Sequence, residues 1–215
     1  MLSFENELWL AGHTFVAGVD EAGRGPLAGP VDAAAVIFPA DVKIEKLTDS
    51  KKLTATQRDE FFEIIHEKAL AVGHCSVTAE VIDKINILQA AKLAMIKAVE
   101  KLRRKPEWLL IDGNQKIAWE GFQKTIVKGD SLSLSIAAAS VIAKVTRDRA
   151  MEEYARRYPE YGFDKHKGYG VAEHLAAIKR HGPCPIHRKT FKGVREHIVS
   201  DEPADFETQL NLSIK

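Results

Sequence analysis

The sequence predicts an α/β fold, a mixed sheet flanked by helices, and three observations carry that prediction. Two apolar runs, residues 14–20 and 31–38, lie too close in the chain for a parallel crossover, so they pair antiparallel. The later apolar runs are separated by helical segments and can run parallel. Three of the strands end in a carboxylate, and sites in open α/β sheets form at strand ends.

Each element follows from its own signals. Residues 14–20 and 31–38 read as the first two strands. Thr54 and Gln57 form a capping box that opens a helix through Phe61, Phe62, Ile64 and Ile65 to about Lys68. Residues 71–77 fit a strand. Residues 78–102 read as one long helix or two short ones, with Val81, Ile82, Ile85, Leu88 and Leu93 at helical spacing and Pro106 as a stop. Residues 108–113 form a short buried strand ending in Asp112. Residues 125–127 form another, followed by Gly129 and Asp130. A helix rich in alanine and serine spans residues 131–157. Residues 159–170 read as a polar loop, residues 171–179 as a last clear helix, and the final segment as a mobile tail.

With 215 residues, the chain suffices for one large domain or a domain with a small appendage. No apolar run approaches the roughly 20 residues that span a membrane, and residues 1–12 lack the basic cluster of a signal peptide. Only Cys75 and Cys184 are present, neither in a CxxC pattern, which points away from zinc and toward a reducing, cytoplasmic setting. Charge is unevenly spread. Between Lys144 and His197 stand thirteen Lys and Arg against seven acids, whereas residues 199–215 carry one against four. The basic block suggests a polyanion-binding face, with a solvated helix surface as the plain alternative.

The loop after the first strand holds the chemistry. Asp20 and Glu21 end an apolar run, and Gly23, Arg24 and Gly25 follow. Glycines let backbone approach a ligand closely, and arginine matches a phosphate. Asp112 and Asp130 sit at two further strand ends. Each acid alone also fits a turn or a helix cap, but together they suggest a cluster, which demands a cation. Carboxylates suit Mg²⁺ or Mn²⁺, and two such ions serve in-line phosphoryl transfer. Consecutive strand residues face opposite ways, so Glu21 joins Asp20 only if the strand has ended there. No Gly-x-Gly-x-x-Gly, phosphate-loop lysine, Gly-x-Ser-x-Gly elbow or His-Glu-x-x-His pair occurs. His166 reads as a surface loop histidine.

The stretch Asp20-Glu21-Ala22-Gly23-Arg24-Gly25-Pro26-Leu27-Ala28-Gly29-Pro30 resembles the signature of the type 2 ribonucleases H. So do Thr48-Asp49-Ser50-Lys51-Lys52-Leu53, Ile111-Asp112-Gly113, Lys128-Gly129-Asp130, Ser140-Val141-Ile142-Ala143-Lys144-Val145-Thr146-Arg147-Asp148, Tyr161-Gly162-Phe163, His166-Lys167-Gly168-Tyr169-Gly170, and the segment from Pro185 to Phe191. The resemblance covers about residues 14–192, with no departure at a catalytic position. It implies the ribonuclease H-like fold, a mixed five-stranded sheet flanked by helices with a C-terminal helical extension. Residues 1–160 would form the catalytic core, residues 161–198 a helical substrate-binding part of the same domain, and residues 199–215 an acidic tail.

The resemblance also implies an activity: metal-dependent cleavage of the RNA strand of RNA–DNA hybrids, and nicking 5′ to ribonucleotides embedded in duplex DNA, leaving 5′-phosphate and 3′-hydroxyl ends. Asp20, Glu21, Asp112 and Asp130 would be the metal-binding, catalytic carboxylates. Gly23, Arg24 and Gly25 would read the 2′-hydroxyl, the group that separates RNA from DNA. Tyr169 would stack on the deoxyribose 3′ of the cut. Lys51, Lys144 and Arg147 are candidate phosphate contacts, and Arg188 and Lys192 weaker ones; Lys144 and Arg147 share a helix face. Gln209-Leu210-Asn211-Leu212-Ser213-Ile214 resembles a short peptide that docks on the bacterial sliding clamp. Nothing demands more than a monomer. A DNA-directed nuclease of the same fold and a non-catalytic hybrid-binding module stay open as alternatives.

Overall fold

A computed structural model describes residues 1–198 of the protein. The tail and its clamp-like segment Gln209 to Ile214 lie outside the described residues. A five-stranded sheet runs in the order β3-β2-β1-β4-β5. Its strands are β1 (Val16–Ala22), β2 (Val31–Ile37), β3 (Ala71–Val77), β4 (Trp108–Asp112) and β5 (Phe122–Ile126). β1, β2 and β3 pair antiparallel, whereas β4 runs parallel to β1 and to β5. The mixed sheet is therefore as the chain spacing predicts. No described helix is long and apolar enough to cross a membrane.

Two helices cover the sheet. α3 (Ala79–Glu100) buries Ile82, Ala91, Ala94 and Met95 against Ala33, Ala35, Leu109 and Ile111 on one face. α4 (Leu134–Arg157) lies on the other face, where its run of small residues packs on Ala34 and Val36. The contact with β1 is so close that a Cβ on Gly18 would sit 2.1 Å from the Ser135 carbonyl carbon. Alanines on the helix and glycine on the strand allow that approach, which dispersion favours.

α2 (Ala55–Lys68) starts at its expected box. Thr54 Oγ1 accepts from the Gln57 amide, and Gln57 Oε1 accepts from the Thr54 amide. α3 is one helix with an internal kink at Asn86, whose φ is +64°. The Asn86 side chain accepts from the Leu88 and Gln89 amides, so it caps the second half. This answers the choice between one helix and two.

Four points differ from the reading of the sequence. Residues 3–10 form a helix, α1 (Ser3–Leu10), that the local sequence did not announce. Its Glu5 is buried and accepts from Ser133 Oγ, Ser135 Oγ and the Ser135 amide. Second, β5 begins at Phe122, three residues before the expected strand, because β4 supplies a parallel partner along that length. Third, α4 begins at Leu134 rather than at residue 131, after a 3₁₀ turn at Gly129–Ser131. Finally, the polar stretch 159–170 contains a 3₁₀ turn at Pro159–Tyr161 and a short helix, α5 (Phe163–His166).

The chain after α4 packs on a separate apolar cluster. Tyr161, Phe163, Cys184, Val194 and Ile178 of α6 (Ala172–His181) surround Met151 of α4 and Leu27 and Ala28 of the glycine loop. The C-terminal part is thus seated directly on the loop that follows β1. Both cysteines are free thiols.

Candidate active site

Parallel pairing aligns two of the acids. Val19 pairs with Ile111, so Asp20 and Asp112 are the next residues on neighbouring strands. Asp130 arrives through the 3₁₀ turn Gly129–Ser131, which follows left-handed Lys128 at the end of β5. Its position is tied to Asp112, whose Oδ1 accepts from the Gly129 amide at 2.7 Å. Asp20 Oδ1 accepts from the Glu21 amide at 2.7 Å. In each case one oxygen of the carboxylate is held by backbone while the other carries no such bond.

Glu21 arrives differently from the expectation. β1 does not end at Asp20 but continues to Ala22, paired with β2. Alternation along the strand therefore places Asp20 and Glu21 on opposite faces. The two still share one sheet end, because β1 outruns the last paired residue of β4. Glu21 lines a cleft with Arg24, Leu88, Met95 and Asp112 on the α3 side.

The electrostatics show that these acids sense one another. Burial, then the Glu21, Asp112 and Asp130 charges, push the Asp20 carboxyl well above its ordinary value. Burial raises Glu21, with Arg24 opposing and Asp112 adding to the rise. Burial raises Asp130 too, helped by Asp49 and Asp112 and opposed by Lys51. Such mutual destabilisation is what a bound cation relieves. Among the described residues no three His, Cys, Asp or Glu side chains converge tightly enough to hold an ion as they stand. The donor chemistry nonetheless fits a hard divalent ion: buried or half-buried carboxylates, each with an oxygen unclaimed by backbone, and no histidine or thiolate among them.

Beside the acids lies a cavity of about 320 Å³, lined by Glu21, Gly23, Arg24, Gly25, Lys51, Lys144 and Tyr169 among others. Gly23 has φ +95°, and a Cβ there would meet Arg147 Nε at 2.1 Å, so glycine is required on both counts. The Arg24 side chain is exposed and reaches Glu21 Oε1 at 3.4 Å. Gly25 lies against the half-exposed Tyr169 ring, with Cε1 3.6 Å from its would-be Cβ.

The three basic candidates fare differently. Lys51 is exposed, with Nζ 3.9 Å from Asp130. Lys144 is half-buried and bonds Asp148 at 2.7 Å. Arg147 does not point to solvent. It is 1% exposed, and its guanidinium donates to the carbonyls of Pro30, Ala28 and Lys167. Facing inward from α4, it braces loops and also forms part of the wall of that cavity. Arg188, a weaker candidate, is likewise buried and bonded to loop carbonyls, while Lys192 is exposed. His166 is only partly exposed and bonds the Tyr161 carbonyl, so it fixes the C-terminal loop.

Sequence reasoning missed Asp49 as a site residue. Its carboxylate accepts from the Lys51 amide at 2.9 Å, caps the turn Ser50–Lys52, and faces Asp130. An Asx-type cap before Ser50 was the available signal.

Residues 17–194 match the family described as Ribonuclease HII. The ribonuclease HII of Geotalea daltonii is 56% identical over 202 residues, covering 94% of each chain. The ribonuclease H2 of Pyrococcus horikoshii OT3 superposes with a TM-score of 0.71 at 30% identity, over 85% of this chain and 96% of that one. The RNase HII of Archaeoglobus fulgidus, solved in complex with PCNA, also gives 0.71, at 27% identity, over 83% of this chain and 95% of that one.

Proposed function

The chain belongs to the ribonuclease HII family, and from that premise we propose how its residues cut. It is an endoribonuclease acting on RNA–DNA hybrids. The finer reading is that it also nicks duplex DNA 5′ to an embedded ribonucleotide. Water attacks the phosphorus, the bond to the 3′-oxygen breaks, and 3′-hydroxyl and 5′-phosphate ends remain. The observation that supports this reading is the adjacency of the acid cluster to a cavity walled by Gly23, Arg24, Gly25 and Tyr169.

In this mechanism Asp20, Glu21, Asp112 and Asp130 are the residues that would hold Mg²⁺ or Mn²⁺, two ions during catalysis. Ions held there would supply Lewis acidity at the phosphate and a nucleophilic water at neutral pH. Gly23, Arg24 and Gly25 bind the sugar bearing the 2′-hydroxyl, and Tyr169 stacks on the next sugar. Lys51 and Lys144 lie where phosphates flank the cut. Residues 161–198 serve as the substrate-binding part of a monomer, since they seat the glycine loop from below.

Asp20→Asn and Asp112→Asn keep size and hydrogen bonding but remove charge. Each should abolish Mg²⁺- or Mn²⁺-dependent cleavage of an RNA–DNA hybrid while hybrid binding persists; full activity in either variant refutes the assignment. We further propose that Gln209 to Ile214 dock on a sliding clamp. Equal clamp affinity after deletion of residues 208–215 would sink that idea.

A further inference from the structure

Arg188 is 0% exposed and packs beneath the loop of residues 23–30. Its guanidinium donates to four backbone carbonyls: Gly23 at 2.5 Å, Arg24 at 2.9 Å, Pro30 at 3.0 Å and Gly29 at 3.1 Å. The Arg188 amide donates to the Leu27 carbonyl at 2.8 Å. Arg147 reaches the same Pro30 oxygen from α4 at 3.0 Å. Among the described residues neither guanidinium makes an ion pair with a carboxylate. Burial, then the neighbouring Arg147 charge, lower the Arg188 pKa to about 9, so it remains charged at neutral pH.

Peptide geometry turns this brace into a site. Among the described residues no peptide bond is cis. In a trans peptide the C=O and the following N–H point in opposite directions. With the Gly23 carbonyl held inward on Arg188, the Arg24 N–H points outward. With the Arg24 carbonyl held inward, the Gly25 N–H points outward as well. Among the described residues neither amide has a hydrogen-bond acceptor. The same segment lines the cavity that Tyr169 closes. Two adjacent donors, fixed in direction and unsatisfied, are suited to an oxygen acceptor on a sugar.

We infer that Arg188 is the positioning residue for ribonucleotide selectivity, holding the Arg24 and Gly25 amides toward the 2′-hydroxyl; this deepens, and rests on, the loop reading above. A lysine offers one compact ammonium in place of a planar fork, so it cannot hold four carbonyls in one register.

The test uses full-length protein carrying Asp20→Asn, the variant expected to bind without cutting. Affinities are measured for a duplex with one ribonucleotide and for the same duplex in all-DNA form. The parent should prefer the ribonucleotide duplex. Adding Arg188→Lys should shrink that preference about tenfold, the worth of one well-made hydrogen bond, while all-DNA affinity stays nearly constant. A general folding defect would weaken both duplexes together. A folded Arg188→Lys protein with the parental preference overturns the inference. If that variant melts early, Phe191→Leu serves instead: the Phe191 ring lies 5.1 Å from the guanidinium and steadies it by a cation–π contact. Unchanged preference there also overturns the inference. A parent with no preference at all overturns the loop reading itself.

Discussion

His174 and His187 are buried side by side, with their Nε2 atoms 3.0 Å apart. Their partners assign the protons. His174 Nδ1 donates to the Tyr169 carbonyl at 2.9 Å, so its Nε2 accepts from His187 Nε2–H. His187 Nδ1 then accepts from the Cys184 amide at 2.9 Å. This chain ties the backbone of Tyr169 to the C-terminal cluster, and it works only with both rings neutral. Burial lowers both pKa values to about 4, from an ordinary value near 6.5. The unfolded chain therefore binds more protons across that window, and the pair's stabilisation is lost as pH falls from about 6.5 to 4. Each proton contributes a slope of up to about 1.4 kcal/mol per pH unit. The acid cluster works oppositely, since protonation relieves its repulsion. Urea midpoints between pH 7 and pH 4 should thus fall more steeply in the wild type than in His187→Gln, whose amide still donates to His174. Parallel curves would contradict this. The sequence offered these histidines only as scattered residues, because the partners lie 5 and 13 positions away in loops without regular period.

At the scale of elements, legibility follows the range of the interactions. β3 and the capping box of α2 were readable because their causes are local: alternation, Thr54 and Gln57. α1 was not, because its Glu5 bonds to residues 128 and 130 positions away. The length of β1 was misjudged for the same reason, since its last residues are held by β2. The contact between β1 and α4 is the one on which the site depends, for β1 carries Asp20 and α4 follows Asp130. Gly18→Ala inserts a methyl against the Ser135 backbone, which cannot yield as a side chain does. It should destabilise the protein by about 1–3 kcal/mol, read as a lower denaturant midpoint with an unchanged m-value. Wild-type stability would show that the strand and helix are less tightly opposed than described.

Across the whole molecule, the basic block between Lys144 and His197 is less available than its composition suggests. Arg147 and Arg188 are internal braces. Lys144, Arg149, Arg156, Lys167 and Arg195 are paired with carboxylates. Counting charges cannot separate a brace or a paired side chain from a free contact, so composition alone did not show which of these cations face solvent, whereas the convergence of the acids, marked by three strand ends, was legible. What organises the molecule is the seating of the glycine loop between the sheet end and the C-terminal cluster, which puts the cavity lined by Gly23, Arg24, Gly25 and Tyr169 beside the acids. The most direct test is cleavage of a duplex holding one ribonucleotide, with Mg²⁺ or Mn²⁺, alongside an otherwise identical all-DNA duplex. The account predicts a single cut 5′ to the ribonucleotide, leaving a 3′-hydroxyl and a 5′-phosphate, and no cut in the DNA duplex. Equal cutting of both duplexes, or none of either with the metal present, would contradict it.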